Sequence, residues 1–594
     1  MPIQGPIIGI DLGTTHSLCA VFRDGKPTLI PNAHGEFLTP SVVAKTEDDL
    51  VLVGSAAKEL RSTRPDLCAW NFKRMMGTDQ LINWASGETG AIALSSLVLG
   101  SLKCDAEVYL EEPVRRAVIT VPAYFNEHQR QATRLAARLA GLDVERILNE
   151  PTAAALAHGF HRRRKDGYLL VLDIGGGTCD LALMEVFEGV LEIMATAGLS
   201  HLGGDDFTSR IVASELQKVG ESLEVAEFRQ PLRFARLWRE MERAKCALES
   251  NDSADYQVPD DKGVIDTEQD SLQLSLKEFD ELTHGLLERI DKPLERLLRD
   301  ARLHADQLDE VLLVGGATRM QNVKRHIEAK LSCQTLSEVE PEQAVVLGAS
   351  VQAGLIDRDE EVSDLVMTDV CPHTLGVEIV KEFGKQTLDG YFLPVLHRNT
   401  TIPVSREEFV ATIHTDQQEL LLRIYQGESR RTRDNLLIGE LHVSDLPPSP
   451  AGLEVAVRLT YDINGLLEVE ARVGESEVVA STLITHHCVG LDEDAIERAA
   501  QQLEEIKFYP RDDLENLRLV HFAESVVVEQ APRERFELEE LIDAYERAMS
   551  RTSRQVFEAA RRMLIIYLTS LGHPPKTGDS TGTSMFDSDW SDAA

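Results

Sequence analysis

The chain has 594 residues, of which 43% are hydrophobic and 27% charged, which is enough sequence for three to four domains of ordinary size. Its 61 basic and 99 acidic side chains give a formal net charge of −38, which disfavours a partner bound through its phosphate backbone and so excludes most nucleic-acid binders. Eight cysteines form no CxxC pair, the N-terminus has no basic leader, and no apolar run is long enough to span a membrane, so we expect a soluble, cytoplasmic protein with no membrane partner.

Two segments far apart in the chain follow the same pattern. IIGIDLGTTHSLCAVF (7–22) and LLVLDIGGGTCDLALM (169–184) each contain an apolar run, an Asp-x-Gly turn with small residues, and a second apolar run. This pattern predicts two β-hairpins, because glycine allows the tight reversal. Such a turn cradles phosphate oxygens with backbone N–H groups, while its carboxylate holds Mg²⁺. One Gly-rich hairpin alone is more often a plain turn, but a matched pair predicts a duplicated lobe that clamps a polyphosphate.

Helical periodicity and a third Gly-rich turn complete an α/β region up to about residue 358. Apolar residues three and four apart predict helices over 126–141 and 275–301. The segment VLLVGGATRMQNVKRHI (311–327) predicts a strand, a glycine turn and a helix, which is where open α/β sheets bind ligands. This turn is a candidate for the adenosine end of a nucleotide.

The pattern changes after residue 358. RDEEVSDLVMTDV (358–370) passes from acidic to apolar residues and predicts a linker with an apolar centre. From about 370 to 488, short alternating segments and an Asn464-Gly465 turn predict an all-β domain. Helical periodicity returns from about 492, and the last twenty or so residues have the composition of a disordered tail.

An ordered set of motifs resembles the DnaK-type seventy-kilodalton heat-shock chaperone family. It comprises IGIDLGTT, VITVPAYFNEHQRQAT, ILNEPTAAALAHG, VLDIGGGTCDLAL, HLGGDDF, ERAKCALES, LVGGATRM, HRNTTIP, YQGE and LDEDAIE. MTDVCPHTLGVE, YDINGLLEVE and FYPRDDL are similar to its short-lidded HscC-like subgroup. The resemblance implies a multidomain chain: an α/β actin/hexokinase-like ATPase domain (1–360), a linker (361–369), an all-β sandwich for peptide (370–491), an α-helical lid (492–572) and a disordered tail (573–594).

The resemblance also implies a site for ATP or ADP with Mg²⁺, and K⁺ is a further candidate. The implied catalytic residues are Lys73, Glu150, Asp173, Thr178 and Asp180. An ammonium such as that of Lys73 suits the developing charge of a phosphoryl group. The implied nucleotide-binding residues are Asp11, Gly13, Thr14, Thr15, Gly175, Gly176, Gly177, Gly203, Gly204, Glu242, Lys245, Gly315, Gly316, Ala317 and Arg319, with Asp11 and Asp173 facing Mg²⁺ largely through water.

Two residues depart from the family at the nucleoside end. The family usually has Ser where Glu249 stands and often a second cation where Cys246 stands. We therefore expect weaker nucleoside binding and faster nucleotide exchange than in a typical member.

Further residues are implied to couple the two halves and to bind peptide. The implied coupling residues are Pro122, Arg130, Arg146, Leu365, Val366, Met367 and Asp369. The implied groove residues are Val377, Ile379, Val380, Val410, Ile413, Leu420, Leu422 and Val457, although alternating apolar residues are more often core. The implied partners are extended hydrophobic peptides and a J-domain cochaperone; the need for an exchange factor stays open, and the expected state is mostly monomeric.

The leading hypothesis is therefore an ATP-driven peptide-binding chaperone. A small-molecule kinase of the same actin-like fold is an alternative, but it leaves the linker, β-domain and lid without a role. An ATP-binding co-chaperone or exchange-factor relative that does not hydrolyse ATP is a second alternative. Stimulation of ATPase activity by peptide rather than by sugar, and loss of single-turnover hydrolysis on Lys73→Ala, distinguish the three.

Overall fold

A computed structural model describes residues 5–85, 87–159, 166–187, 190–266, 271–331, 333, 335–336, 339–359, 366–383, 386–461, 467–473, 478–484, 514–527, 530, 532–549, 554–571 and 573. The chain forms two compact units, Met1–Thr46 with Val51–Leu503, and Glu47–Leu50 with Glu504–Ala594. Leu365 and the rest of the expected linker before residue 366, the first part of the expected lid (492–513) and the tail from 574 onward lie outside the described residues.

The first lobe of the larger unit is an α/β structure around a mixed sheet. Its strands lie in the order β11-β10-β1-β2-β3, with β4 also paired to β2. β1 and β2 are antiparallel neighbours, which confirms the first predicted hairpin. The elements are β1 (Ile7–Asp11), β2 (His16–Arg23), β3 (Lys26–Ile30), β4 (Thr39–Pro40), β5 (Val43–Lys45), β6 (Val51–Val53), α1 (Ser55–Arg61), β7 (Cys68–Ala69), β8 (Leu81–Trp84), β9 (Gly87–Gly90), α2 (Ala91–Leu110), β10 (Arg116–Val121), α3 (Glu127–Leu139), β11 (Asp143–Asn149) and α4 (Glu150–Ala157).

The second lobe repeats this plan around a larger sheet. Its strands lie in the order β18-β17-β12-β13-β14-β19-β22, and antiparallel β12 and β13 confirm the second predicted hairpin. The elements up to residue 359 are β12 (Gly167–Ile174), β13 (Cys179–Phe187), β14 (Val190–Leu199), α5 (Gly204–Gln217), α6 (Leu223–Arg229), α7 (Pro231–Ala247), β15 (Ser253–Tyr256), β16 (Leu272–Ser275), α8 (Leu276–Ala301), β17 (Glu310–Val314), α9 (Gln321–Leu331), β18 (Thr335–Leu336) and α10 (Ala344–Ile356).

Local sequence explains where the predicted helices begin. The Asn126 side chain accepts a hydrogen bond from the Gln129 N–H, the Gln129 side chain accepts one from the Asn126 N–H, and α3 follows. α8 has a simpler cap, in which the Ser275 hydroxyl oxygen accepts a hydrogen bond from the Glu278 N–H. After β17 the chain first makes a short 3₁₀ turn over Gly316–Arg319 and only then enters α9, so the third glycine turn does not open the helix directly.

The two lobes meet where α4 and α10 cross. Gly348 of α10 lies so close to α4 that a Cβ atom there would come within 1.7 Å of the Ala153 carbonyl oxygen. Gly9 of β1 approaches α10 almost as closely, since a Cβ atom there would lie 2.5 Å from the Ser350 N atom. Glycine at these positions therefore brings backbone against backbone at the base of the cleft between the lobes.

The segment expected to be a linker is a strand in this structure. β19 (Val366–Val370) adds to the second lobe's sheet in parallel with β14, with Val190 opposite Val366 and Glu192 opposite Thr368. On its other side β19 pairs with β22 through Asp369 and Ile402. The edge of β14 offers unpaired N–H and C=O groups, and an adjacent apolar segment satisfies them by adding a strand.

The described residues between 370 and 484 are mainly β-strands, with one short 3₁₀ turn at Thr432–Asp434. One four-stranded sheet has the order β21-β20-β24-β25 and the other β23-β26-β27-β28, and a common apolar core contains Val377, Ile424, Val455 and Val469. The strands are β20 (Leu375–Phe383), β21 (Gln386–Leu396), β22 (Thr401–Ile402), β23 (Val404–Ala411), β24 (Leu420–Gln426), β25 (Leu436–Val443), β26 (Glu454–Tyr461), β27 (Leu467–Val473) and β28 (Val478–Ile484). The Asn464-Gly465 turn lies outside the described residues.

The smaller unit contains the helices α11 (Leu514–Val527), α12 (Pro532–Met549) and α13 (Arg554–Ser570). They share an apolar core that includes Leu538, Tyr545 and Leu564. The Tyr545 hydroxyl donates to Asn516 Oδ1 at 2.7 Å, so the one polar atom of this buried ring is paired. In the described part of the chain, no helix combines the length and apolar character required to cross a membrane.

Candidate active site

Three glycine turns converge in the cleft between the lobes. A Cβ atom on Gly176 of the second hairpin would lie 2.3 Å from Thr15 Cγ2 of the first hairpin, and one on Gly177 would lie 2.7 Å from Thr14 Cγ2. Gly315 of the third turn has φ +81°, and a Cβ atom there would lie 2.6 Å from Asp173 Oδ1. Only glycine fits these contacts, so the turns predicted from sequence do face one another.

Beside the turns lies a cluster of acidic side chains around one lysine. Asp11 ends β1, Glu150 begins α4, Asp173 lies on β12 and Asp180 on β13. Lys73, on a short 3₁₀ turn, is 4% exposed, and its Nζ donates to Glu150 Oε1 at 2.8 Å. Four carboxylates against one ammonium leave this part of the cleft strongly negative.

The pKa values of these groups reflect burial and crowding. Desolvation, followed by the charge of Glu150, raises the pKa of Asp11 to about 7. Desolvation and Glu150 also raise the pKa of Asp180 to about 7, and desolvation with the neighbouring carboxylates raises that of Asp173. Burial acts to lower the pKa of Lys73, but Glu150 and Asp11 outweigh it and raise the pKa above its ordinary value. Lys73 is therefore a permanent cation in this site.

The acidic cluster fits a divalent cation held mainly through water. Burial and the neighbouring carboxylates raise the pKa values of Asp11 and Asp173, and a cation beside them would stabilise their charged forms. Among the described residues, no three or more His, Cys, Asp or Glu side chains are arranged to bind one metal ion directly. Most ligands of such an ion would then be water and phosphate oxygens, which is how Mg²⁺ usually binds beside a nucleotide.

Two hydrogen bonds orient carboxylates of the cluster. The Thr120 hydroxyl donates to Asp11 Oδ1 at 3.1 Å, and the Tyr124 N–H donates to Asp180 Oδ1 at 3.1 Å. Asp180 does not line the cleft but lies behind it, 1% exposed. Its carboxylate thus connects the cluster to the backbone at Tyr124, a residue at the edge of the first lobe.

The cleft wall contains most of the predicted site residues. Those lining it are Asp11, Gly13, Thr14, Thr15, Lys73, Glu150, Asp173, Gly175, Gly176, Thr178, Gly204, Glu242, Lys245, Gly315, Gly316 and Ala317. Gly177, Gly203 and Arg319 were also predicted but do not line it; Gly203 instead packs against the backbone of Gly176 and Gly177. The wall also includes residues not predicted as site residues: His16, Leu18, Leu38, Asp205, Cys246, Glu249, Met320, Pro341, Glu342 and Val345. Cys246 and Glu249 had been noted as departures from the family at the nucleoside end, and His16, Leu18, Asp205 and Met320 stand inside quoted segments without having been assigned a role.

The end of the cleft away from the hairpins is also acidic. Lys245 Nζ is already bonded to Gly204 O at 2.9 Å and to Glu242 Oε2 at 2.7 Å. Arg319 is paired with Glu340 and Glu342. The pKa of Glu249 is raised by desolvation and by Glu342, against the opposing charge of Arg319. The cations at this end are therefore neutralised by protein carboxylates.

A buried polar relay leads from the acidic cluster to β19. The Arg130 guanidinium donates to the Ala123 carbonyl oxygen at 3.2 Å and to Asn149 Oδ1 at 2.6 Å. Asn149 Nδ2 in turn lies 3.0 Å from both carboxylate oxygens of Asp369. Asn149 directly precedes Glu150, so one backbone step separates this relay from the residue paired with Lys73. Sequence analysis singled out Arg130, Glu150 and Asp369 but missed Asn149.

The other predicted coupling residues lie around this relay. Pro122 is buried just before Ala123, and its carbonyl oxygen accepts a hydrogen bond from the Phe125 N–H. Arg146 donates to Gln352 Oε1 at 3.1 Å, near enough to Asp369 to act on its charge. The backbone of Val366 and Met367 lies in β19.

The β-region also contacts the second lobe outside β19. Arg398 donates through Nε and Nη2 to the Asp300 carboxylate at 3.1 and 2.9 Å, and its Nη1 donates to Glu428 at 3.0 Å. The Thr196 N–H donates to Asn399 Oδ1 at 3.1 Å. Sequence analysis singled out none of these residues, because nothing in their local sequence indicates a partner about a hundred or two hundred residues away.

The predicted groove residues divide into two groups by burial. Val377, Leu422 and Val457 are at most 2% exposed and belong to the core of the β-region. Ile413 is 42% exposed and Val380 is partly buried, while the remaining three are partly buried against that core: Ile379, Val410 and Leu420. Phe409 and Leu421, which were not predicted, are also exposed apolar side chains.

Comparison with known proteins gives one consistent result. The family model described as "Hsp70 protein" matches residues 7–87 and 84–565. Among curated proteins, the chain is similar to "Chaperone protein DnaK" from Thermotoga petrophila, Thermotoga sp. (strain RQ2) and Thermotoga maritima. Each is 38% identical over 519 residues, which cover 85% of this chain and 84% of the relative.

Proposed function

The chain belongs to the Hsp70 family, and from that premise we propose how its residues make it an ATP-dependent chaperone. It is an Hsp70-type chaperone and an ATPase with an N-terminal α/β ATPase domain. A small-molecule kinase and a non-hydrolysing relative are not favoured, because the three Thermotoga relatives are named as DnaK chaperones.

We propose that the nucleotide lies in the interlobe cleft with its phosphates between the two hairpins. The backbone N–H groups of both turns and the hydroxyls of Thr14, Thr15 and Thr178 bind the phosphate oxygens. The opposite end of the cleft, with Glu242, Lys245 and the turn at Gly315–Ala317, then holds the nucleoside. Mg²⁺, when bound beside Asp11 and Asp173, would supply positive charge to the phosphates.

Hydrolysis in this proposal depends on position and charge. Lys73 presents a fixed ammonium to the γ-phosphate, and Glu150 holds it in place at 2.8 Å. Asp173, whose pKa is raised by desolvation, is the candidate that accepts a proton from the attacking water, directly or through an ordered water. A cage of this composition stabilises charge without a covalent intermediate, which suits slow phosphoryl transfer.

We propose that the relay Arg130–Asn149–Asp369 transmits the state of the nucleotide to the β-region. The observation that supports this is the direct link from Asn149 to Asp369 of β19, one residue away from Glu150. When β19 is paired with β14, the β-region is docked; release of Asp369 would free it. The two states bind peptide with different affinity, which is a population shift.

The same premise supports the remaining assignments as proposals. The two sheets from 370 to 484 form the peptide-binding sandwich, and the helices of the smaller unit form the lid. Ile413 and Val380, which do not belong to the core of the β-region, are the groove residues best placed to contact extended hydrophobic peptide. A J-domain cochaperone, an exchange factor, a monomeric state, a cytoplasmic location and a K⁺ site stay predictions from the family.

ATP is expected to weaken peptide binding by about 5–150-fold relative to ADP, the range of ordinary allosteric coupling. The reason is that ATP favours the docked state, in which the groove is open. Titration of a labelled extended hydrophobic peptide into the nucleotide-free, ADP-loaded and ATP-loaded protein measures this. Equal dissociation constants in all three would refute the proposed coupling, and stimulation of ATPase by sugars but not by peptide would favour a kinase.

Replacing Glu249 with serine is expected to slow nucleotide release about 5-fold, which corresponds to about 1 kcal/mol. The substitution removes a carboxylate from an end of the cleft where Glu342 and Glu242 already contribute negative charge. Stopped-flow release of a fluorescent ADP analogue is the measurement. Glu288→Ser, on the exposed face of α8, is the matched control and should not alter release. Unchanged release in Glu249→Ser would show that this departure from the family has no role in exchange.

A further inference from the structure

A histidine lies buried between the β-region and the first lobe. His373 follows β19 and is 8% exposed. Its Nε2 is 3.2 Å from the Tyr124 carbonyl oxygen, and its ring meets the Tyr124 ring edge-on with centroids 4.6 Å apart. A carbonyl oxygen only accepts, so Nε2 carries a hydrogen in the docked structure and donates it.

The surroundings of His373 favour a neutral ring, mainly because the ring is buried away from water. The charges of Arg130 in the first lobe and Arg296 in α8 add to this effect, while the hydrogen bond to the Tyr124 carbonyl oxygen and the charge of Glu428 act in favour of a protonated ring. Glu428 is already engaged by the Thr374 N–H, the Thr374 hydroxyl and Arg398. The titratable and charged groups that face the ring are Tyr124, Arg130, Arg296 and Glu428.

Three of these four groups belong to the nucleotide-binding lobes. Separation of the β-region therefore removes Tyr124, Arg130 and Arg296 from His373 together and gives the ring access to water. An imidazolium is then solvated, whereas in the docked interface it lies close to two guanidinium groups. A proton therefore binds the undocked state more tightly than the docked state.

We propose that His373 is a pH-sensitive switch of interdomain docking, whose protonation separates the β-region from the nucleotide-binding lobes. The inference rests on the proposed coupling through β19. Acidification then shifts the ATP-loaded protein toward the undocked state, which holds peptide. In this way a fall in pH substitutes in part for ATP hydrolysis.

The expected size of the pH effect on docking follows from the difference between the pKa of His373 in the docked state and in the undocked state. Burial lowers the pKa of His373 to about 4 in the docked state, against an ordinary value of 6.5. Because the docked pKa is the lower one, docking is unaffected above about pH 7 and is progressively weakened as pH falls below 6.5. Linkage gives an increase of about 10-fold in the undocked-to-docked ratio between pH 7.5 and pH 5.5.

Hydrogen exchange of the backbone amides of Val366–Val370, corrected for the intrinsic effect of pH, measures docking in the full-length protein. With ATP in excess, we expect exchange through undocking to rise about 10-fold from pH 7.5 to pH 5.5 in the wild type. His373→Gln keeps a hydrogen-bond donor but cannot titrate, and it should show no such rise. His284→Gln, an exposed histidine on α8, is the matched control and should behave as wild type.

The possible outcomes distinguish failure of the His373 switch from failure of the proposed coupling through β19. If ATP protects these amides at pH 7.5 but His373→Gln retains the full pH dependence, the switch is refuted and the coupling stands. If ATP gives no protection at any pH in the wild type, both are refuted. His373→Leu is a second variant that cannot titrate, and it replaces His373→Gln in the test if His373→Gln does not dock. Loss of the pH dependence in a His373→Leu protein that still docks supports the switch.

Discussion

Lys73→Ala is expected to abolish measurable single-turnover ATP hydrolysis, a loss of at least about 10²-fold, while ATP still binds. Lys73 is the ammonium that lines the cleft beside four carboxylates, and its pair with Glu150 is 4–6% exposed. Removing it takes away the cation that stabilises the developing phosphoryl charge. It also leaves Glu150 facing Asp11 and Asp173 without its partner. Quench-flow measurement of ADP formed from pre-bound ATP tests the prediction.

The control for this experiment is Lys103→Ala, which changes a half-buried lysine on α2 whose Nζ donates to the Gly141 carbonyl oxygen at 3.3 Å, outside the cleft. It should hydrolyse ATP at the wild-type rate. Because Lys73→Ala leaves buried negative charge, thermal unfolding with and without ATP checks that the variant is folded. A folded Lys73→Ala protein that hydrolyses ATP as fast as wild type would exclude the proposed role of Lys73 and support another catalytic group.

Arg398→Ala is expected to remove most of the effect of ATP on peptide affinity. Arg398 binds both oxygens of the Asp300 carboxylate and also Glu428, with only 24% of its side chain exposed. Charge-assisted hydrogen bonds of this kind contribute about 1.5–3 kcal/mol, which equals about 10–150-fold in the docking equilibrium. The ratio of peptide dissociation constants with ATP and ADP should therefore fall close to one, while binding with ADP stays the same.

A double-mutant cycle with Asp300→Ala separates docking from a local effect on the β-region. Both single variants and the double variant should lose about the same coupling, because each breaks the same contact. Arg433→Ala, whose side chain is 84% exposed in the same region, should keep the full effect of ATP. If the losses from Arg398→Ala and Asp300→Ala simply add, the two residues act separately and the proposed interface is wrong.

The acidic cluster was predicted from sequence by two different routes. Asp11 and Asp173 stand at strand ends in Asp-x-Gly turns, so the pattern of apolar runs and glycine turns is sufficient to place them. Glu150, Asp180 and Lys73 have no such local pattern and were implied only by the resemblance to the family. The nucleoside end was predicted less well. Glu342, Pro341 and Val345 enter the cleft from a segment with no turn motif of its own, and only the packing of α10 brings them there.

The contacts between the nucleotide-binding lobes and the β-region, in contrast, were not predicted from sequence. The linker pattern predicted an apolar segment but not that it would pair with β14, since any exposed strand edge satisfies the same backbone groups. Tyr124 and His373 are 249 residues apart, and Arg398 and Asp300 are 98 apart. Contacts between residues so far apart in the chain cannot be predicted from local periodicity.

The sequence by itself determined the two hairpins, the capped helices, the change from α/β to all-β structure and the family. The structural elements follow from hydrophobic period and glycine position, which act over a few residues, whereas the family was identified from the resemblance of its ordered motifs. Only the tertiary structure decided which side chains meet: Asn149 with Asp369, Arg398 with Asp300, and His373 with Tyr124. The physical reason is that such contacts form when buried polar groups from distant segments must satisfy one another as the domains pack, and that choice is made by the whole fold.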